Sequence, residues 1–404
     1  MTQPTRPQLT AAGLVFPHPE HGIANLAARL HGSHSPCPPL QHPSLARLEQ
    51  AQTIILLVID GMGCQQLAEL SPGGWLRQQQ TLALTSVFPS TTTSAITTYL
   101  TGLPPSVHTL TGWHLAAPEV DAVVTPLPLT VRHRGHHTPD DPAELARAVY
   151  RTPSALTGPR RQIVLQPNYI LDSAYSLHHG GSAARQGWAS YEDLFRQLDT
   201  LRREASAPQF IYAYIPDLDS IMHHKGTTHP RCRQLLQRIE AHCAAFAATL
   251  SGRDAVLCIS ADHGQMDIPP PRLLQLRDFP ELAACLRQPL SGEPRVAFCH
   301  VKPERLADFP QLAARLLGHA AWCLPATQLL DEAWFGPGAD VNDPRLAARV
   351  GDYVLLLKED WGLLDSPADA PLPKLLGNHG GLSAAEMMVP LIVIDGKEGV
   401  ASDE

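Results

Sequence analysis

Five places in the chain put carboxylates, imidazoles or hydroxyls where they could act together on a phosphoryl group. Asp60 follows the apolar run Thr53–Ile59 and precedes Gly61-Met62-Gly63, glycines that let other backbone approach closely. Asp219 and His223 lie four apart in Pro216-Asp217-Leu218-Asp219-Ser220-Ile221-Met222-His223-His224. If a helix begins near Leu218 they share one face, and a carboxylate with an imidazole on one face suits zinc. Asp217 and His224 are their register-shifted rivals. Asp262 and His263 are adjacent in Ser260-Ala261-Asp262-His263-Gly264, directly after another apolar run. His379 sits in Gly377-Asn378-His379-Gly380-Gly381, a tight glycine-rich turn able to project an imidazole into a cavity. Each has a plainer reading alone: turn former, helix cap, solvated helix start or surface turn.

The fifth place, Phe88-Pro89-Ser90-Thr91-Thr92-Thr93-Ser94, opens a helical pattern over 92–100 that stops at Thr101-Gly102. A hydroxyl at a helix N-terminus meets free N–H groups and the positive end of the dipole, which suits phosphate binding and eases alkoxide formation. The same cluster is also the commonest helix-capping signature. Conjunction changes the reading. Asp60, Asp219, His223, Asp262, His263 and His379 supply six ligands, three for each of two metals, beside a hydroxyl that a metal can ionise. Two such ions roughly 3.5–4 Å apart can stabilise the attacking and leaving oxygens of an in-line phosphoryl displacement.

The elements that must position these residues are legible as continuous apolar runs. Thr53–Ile59 (TIILLVI), 210–215 (FIYAYI), Ala255–Ser260 (AVLCIS) and 388–394 (MVPLIVI) read as strands buried on both faces of a parallel sheet, with helices over 92–100, 191–205 and 231–250 as crossovers. They predict a doubly wound, mostly parallel α/β sheet with helices on both faces, and three of the runs end at candidate ligands, where open α/β sheets bind. From 269 to 373 the texture changes: a helical stretch near 281–287, strands 295–301 and 353–357 and a helix 304–317 predict a small inserted α+β cap. The expected organisation is an N-terminal extension (1–45) packing on a catalytic core (46–268 and 374–404) that carries the cap (269–373). Residues 115–161, rich in proline and polar groups, are expected to form a loop or second insertion near the mouth of the site.

A formal net charge of −8 over 404 residues gives no basic footprint, so binding of duplex nucleic acid through its phosphates is not expected. The start of the chain lacks a basic-then-apolar signal pattern and no apolar run reaches membrane-spanning length, so the expectation is a cytoplasmic chain with no membrane partner. Eight cysteines without a C-x-x-C pair read as reduced thiols, mostly buried.

As a set, these motifs resemble the alkaline-phosphatase superfamily, and most closely its type I phosphodiesterase/nucleotide pyrophosphatase branch. The resemblance rests on Val58-Ile59-Asp60-Gly61, on Phe88-Pro89-Ser90-Thr91-Thr92 with Leu100-Thr101-Gly102-Leu103-Pro104-Pro105 and His108, on Pro216-Asp217-Leu218-Asp219 with His223, on Ser260-Ala261-Asp262-His263-Gly264 and on His379-Gly380-Gly381, in the family's order. It implies that Asp60, Asp262 and His263 hold one zinc, faced by Thr92, and that Asp219, His223 and His379 hold the other. Manganese or iron suits the same ligand types. Counting back from Thr101-Gly102 puts the nucleophile on Thr92, to within one residue of Thr91. The implied reaction is hydrolysis of a phosphoric ester or phosphoanhydride on a small, nucleotide-like substrate through a phosphothreonine intermediate.

The chain also departs from the branch. Members that cleave nucleotide diesters carry a phosphate-binding asparagine where this sequence reads Leu110-Thr111-Gly112-Trp113-His114. Trp113 could stack on an aromatic leaving group and His114 could donate to phosphate. No Cys-x-Pro-x-Arg stretch marks a sulfatase. The alternatives are a phosphomonoesterase or phosphonate hydrolase on the same site, or a zinc-binding module without activity.

Overall fold

The computed structural model describes residues 4–32, 35–337, 344–366 and 375–397. Seven strands form the central sheet: β1 (Thr53–Ile59), β2 (Gln80–Thr85), β3 (Arg161–Pro167), β4 (Ala184–Trp188), β5 (Gln209–Ile215), β6 (Ala255–Ser260) and β7 (Met388–Asp395). Their spatial order is β2-β7-β6-β1-β5-β3-β4. β1 pairs in parallel with β5 and β6, and β3 in parallel with β5 and β4. Every residue of β1, β5 and β6 is buried, so both faces of the sheet are covered, as the unbroken apolar runs require.

β7 departs from the expectation of a parallel strand, because it runs antiparallel to both β6 and β2. The reason is chain length. His379 lies at the carboxyl ends of the parallel strands, and only the short helix Ala384–Met387 separates it from β7. A parallel return needs a crossover of about a dozen residues or more, so the chain must run straight back. The sequence reading also passed over β2, β3 and β4. β2 and β4 are the edge strands, and their sequences QTLALT and ARQGW are only partly buried, so they carry no apolar run.

The helix Thr92–Thr101 ends on Gly102 in the left-handed region (φ 69°), where a side chain would be strained. Crossover helices Tyr191–Arg203 and Pro230–Ala248 lie within about two residues of their expected spans. All eight cysteines are free thiols, and six are buried. No helix among the described residues is long and apolar enough to cross a membrane.

Within 269–373, a four-stranded antiparallel sheet forms in the order Ser291–Glu293, Val296–Cys299, Tyr353–Leu357, Ala321–Pro325, backed by the helix Phe309–Leu317. The helix expected near 281–287 is shorter, Pro280–Ala283, and that expected over 304–317 begins only at Phe309, after a separate turn of 3₁₀ helix. Residues 338–343 and 367–374 lie outside the described residues. We propose that this region is the inserted cap on the catalytic core. The N-terminal segment touches both: Leu9 and Phe16 pack with cap residues Val296 and Trp334, whereas Ile23–His31 packs on the Thr92–Thr101 helix. The 115–161 segment forms a three-stranded antiparallel sheet, Leu115–Ala117, Ala122–Thr125 and Thr130–Arg134, followed by the helix Pro142–Val149.

One buried ion pair joins the cap to the turn that carries His379. Arg295 donates from Nε to Glu386 Oε1 (3.2 Å) and from Nη2 to Oε2 (3.3 Å), with both side chains almost fully buried. Glu386 also accepts from the Gly381 and Ser383 amides. Arg295→Ala would strand a buried carboxylate and is expected to destabilise the fold by about 3–5 kcal/mol in denaturant titrations. Replacing both partners by uncharged residues of similar volume is expected to cost much less; equal losses would mean that the pair is not the relevant interaction.

Candidate active site

The candidate ligands converge at the carboxyl end of the sheet. Asp60 is the residue after β1, and Gly61 beside it adopts φ 72° with no room for a side chain, since a Cβ there would stand 3.1 Å from Asp219 Cα. Asp219 lies in the first turn of the helix Asp217–Lys225, which follows β5, and His223 one turn on brings Nε2 to 3.3 Å from Asp219 Oδ2. Asp262 and His263 follow β6, and Asp262 Oδ1 accepts from the amides of Gly61 (3.1 Å) and His263 (2.9 Å). His379 is 7% exposed and its ring stacks on that of His263, with centroids 3.8 Å apart.

The three histidines share one arrangement. Nδ1 of His223, His263 and His379 meets the carbonyl of Gly377 (2.7 Å), Gly264 (3.0 Å) and Ser90 (3.1 Å) respectively. Each such contact places the proton on Nδ1 and leaves the Nε2 lone pair facing the centre, the orientation a metal-binding histidine needs. Two sets of ligand atoms fall within 4.8 Å of one another: Asp60, Asp262 and His263, and Asp219, His263 and His379. His263 is common to both sets, while His223 bonds to Asp219. All six expected ligands are therefore brought together, with His263 more central than the sequence implied.

The electrostatics favour a cation. Burial, and then the neighbouring carboxylates of Asp262 and Asp219, push the Asp60 carboxyl well above its ordinary value; burial also raises Asp262. Asp60 Oδ1 and Asp262 Oδ2 are buried with no hydrogen-bond partner. Burial opposes ionisation of Asp219 too, but His223 outweighs it and holds that carboxyl below its usual range, while Asp219 lifts His223 to about 9. Burial followed by the adjacent His263 keeps His379 well below the ordinary imidazole value, hence neutral. Open carboxylate oxygens beside the neutral His379 imidazole are what a divalent metal would satisfy.

Thr92 opens its helix with Oγ1 3.3 Å from Asp60 Oδ2 and 3.1 Å from His263 Nε2. Thr91 precedes it in extended backbone and hydrogen-bonds Glu293 instead, so Thr92 is the threonine that faces the clusters. Of the rival pair, His224 is exposed at the rim, and Asp217 lies beside Tyr191. Trp113, 44% exposed, is a wall of the cavity of about 380 Å³ that contains Thr92, Asp60, Asp219 and His379. His114 does not reach that cavity. Its backbone pairs with Gly292 and its ring lines a neighbouring pocket beside Arg132 and Thr125, where burial, then Arg132, lowers it to about 3.

Two residues at the site escaped the sequence reading. Tyr214 donates its hydroxyl to Asp60 Oδ2 from the penultimate position of β5. Its signal was present, a polar-tipped residue near a ligand-bearing strand end, but it is hidden in an apolar run. Glu293 reaches the Thr92 cavity from the cap, and nothing local in Ser291-Gly292-Glu293 announces it. Tyr214→Phe is expected to weaken metal binding about 10- to 100-fold with the fold intact, read by competition with a chelating dye; unchanged affinity would remove Tyr214 from the site.

The model of type I phosphodiesterases and nucleotide pyrophosphatases matches residues 54–382, spanning every candidate ligand. The chain belongs to the type I phosphodiesterase/nucleotide pyrophosphatase family. That makes it a hydrolase of phosphoester bonds within the alkaline-phosphatase superfamily. Solved structures share this family fold at low identity. The murine ectonucleotide pyrophosphatase/phosphodiesterase 5 has TM-score 0.60 and 16% identity over 84% of this chain and 87% of its own. An inactive threonine-to-alanine variant of that murine protein, in complex with AMP, gives TM-score 0.61 and 15% identity over 84% and 87%. Phosphonoacetate hydrolase from Sinorhizobium meliloti, in complex with phosphonoformate, gives TM-score 0.60 and 18% identity over 85% and 90%. No curated protein matches the sequence closely enough to count as a relative.

Proposed function

We propose that this chain is a metal-dependent phosphoric ester or phosphoanhydride hydrolase of phosphodiesterase/nucleotide pyrophosphatase type, with Thr92 as nucleophile. The observation that carries the reading is the position of Thr92 Oγ1, within 3.3 Å of both Asp60 and His263 at the edge of the ligand clusters. The inactive threonine-to-alanine variant of the murine neighbour supports it. Asp60, Asp262 and His263 would hold one zinc, and Asp219, His223 and His379 the other. Such ions, when bound, supply the positive charge that favours a threonine alkoxide and an oxyanion on phosphorus.

The chain's own groups do the rest. The amides at the start of the Thr92–Thr101 helix face the phosphoryl group with the positive end of the dipole. Thr92 Oγ1 forms the new O–P bond as the bond to the departing oxygen breaks in line, giving a phosphothreonine that still carries the other substituent of a diester. Water then attacks phosphorus from the side that the departing oxygen left, opposite Thr92 Oγ1, and breaks the bond to Thr92, so phosphorus is inverted twice and its configuration is retained. Tyr214 fixes the Asp60 carboxylate, and the backbone carbonyls at Nδ1 fix the three imidazoles throughout.

Metal analysis alongside turnover of paired aryl phosphate monoesters and diesters tests this. About two zincs with dominant diester turnover is the expected result. Dominant monoester turnover would reassign the chain as a phosphatase, and neither metal nor turnover would overturn the reading.

A further inference from the structure

The Thr92 cavity opens beside a second one of about 370 Å³, whose walls include Ile96, Leu127, Tyr169 and Ile170. No lysine or arginine is among the described residues lining either cavity, and Glu293 is the one lining carboxyl outside the ligand clusters. Glu293 is 7% exposed and comes from the cap strand Ser291–Glu293. Its carboxyl accepts from the Trp113 amide at 2.6 Å and hydrogen-bonds the Thr91 side chain. Two donors of the cavity wall that could have received an anion, the Trp113 amide and the Thr91 hydroxyl, are thus already engaged by a carboxyl group.

We propose that Glu293 sets the charge of acceptable substrates. The site takes phosphoric esters whose other substituent is uncharged and discriminates against substituents carrying further negative charge, such as a carboxylate or second phosphate. This rests on the phosphoester-hydrolase reading above and narrows it. The physical cause is direct: the charge of His223 and of the proposed zincs is taken up by Asp60, Asp219, Asp262 and the scissile phosphate, and the described lining offers no lysine or arginine, so a further negative charge brought beside the Glu293 carboxylate meets repulsion that water screens poorly.

The test uses zinc-loaded Thr92→Ala protein, which binds without turnover, and the same protein carrying Glu293→Gln, Glu293→Ala or Glu293→Asp. At about pH 8, above the value of about 7 to which burial raises Glu293, calorimetry compares bis(4-nitrophenyl) phosphate with bis(4-carboxyphenyl) phosphate, ligands of near-equal shape that differ in charge. The parent is expected to bind the nitro ester at least about tenfold more tightly. That gap is expected to shrink to about threefold or less in the Gln and Ala variants and to persist in the Asp variant. An equal gap in all variants, a parent that prefers the carboxy ester, or binding of neither ester would overturn the proposal. Turnover of the nitro ester by the unaltered protein decides the hydrolase reading separately.

Discussion

Replacing Thr92 by alanine is expected to lower turnover of an activated phosphate diester by about 10⁴-fold or more while leaving the metal content unchanged. No neighbouring hydroxyl is placed to substitute. Thr91 is turned toward Glu293, and Thr93 is fully buried with no hydrogen-bond partner for its Oγ1. Thr92 Oγ1 contacts only the edge of the ligand set, so its loss removes the attacking group without dismantling the six Asp and His ligands. Thr92→Ser, which keeps a hydroxyl on the same helix end, should retain measurable turnover. Normal activity in the alanine variant would sink the nucleophile assignment.

His263→Ala is the second large effect, because His263 belongs to both ligand clusters and its ring stacks on His379. Its removal takes a ligand from the Asp60–Asp262 metal and the stacking partner of His379 from the other, and is expected to strip the first metal, weaken the second and cost about 10³-fold in turnover, the several kcal/mol that metal charge contributes to such a transition state. His223→Ala, which removes a ligand of the other metal, should spare the Asp60–Asp262 side. Unchanged metal affinity at the Asp60–Asp262 side in His263→Ala would contradict its place there. Chelation has a linked consequence. The raised carboxyls of Asp60 and Asp262 stabilise the metal-free fold most at low pH, and that contribution is lost as pH rises through their folded-state values. The melting gap between loaded and chelated protein should therefore widen as pH rises above the ordinary carboxyl range.

The ligand set was legible because it falls where strand geometry forces residues into view. Asp60, Asp219 and Asp262 each stand at or just beyond an unbroken apolar run, and glycines mark the close approaches at Gly61 and Gly380. Spacing of four on a helix brought Asp219 and His223 together, as expected. What the sequence hid has equally local causes. Edge strands β2 and β4 are half-solvated and show no run of apolar residues. The direction of β7 depends on how few residues separate it from His379, not on the composition of the strand. His114 was read beside Trp113, yet Trp113 walls both the Thr92 cavity and the neighbouring pocket, whereas His114, paired through its backbone with Gly292, lines only the latter of these two. Glu293 arrives from a segment just over two hundred residues beyond Thr91, so only the folded chain brings it in.

The most direct test of the central claim is acid quenching during turnover of a diester, followed by phosphopeptide mapping. A phosphoryl group still carrying the diester's retained substituent is expected on the peptide containing Thr92, at Thr92 itself, and is expected to be absent in Thr92→Ala. Steady turnover with no phosphopeptide in quenches faster than the catalytic cycle, or phosphate on Thr91 instead, would contradict it.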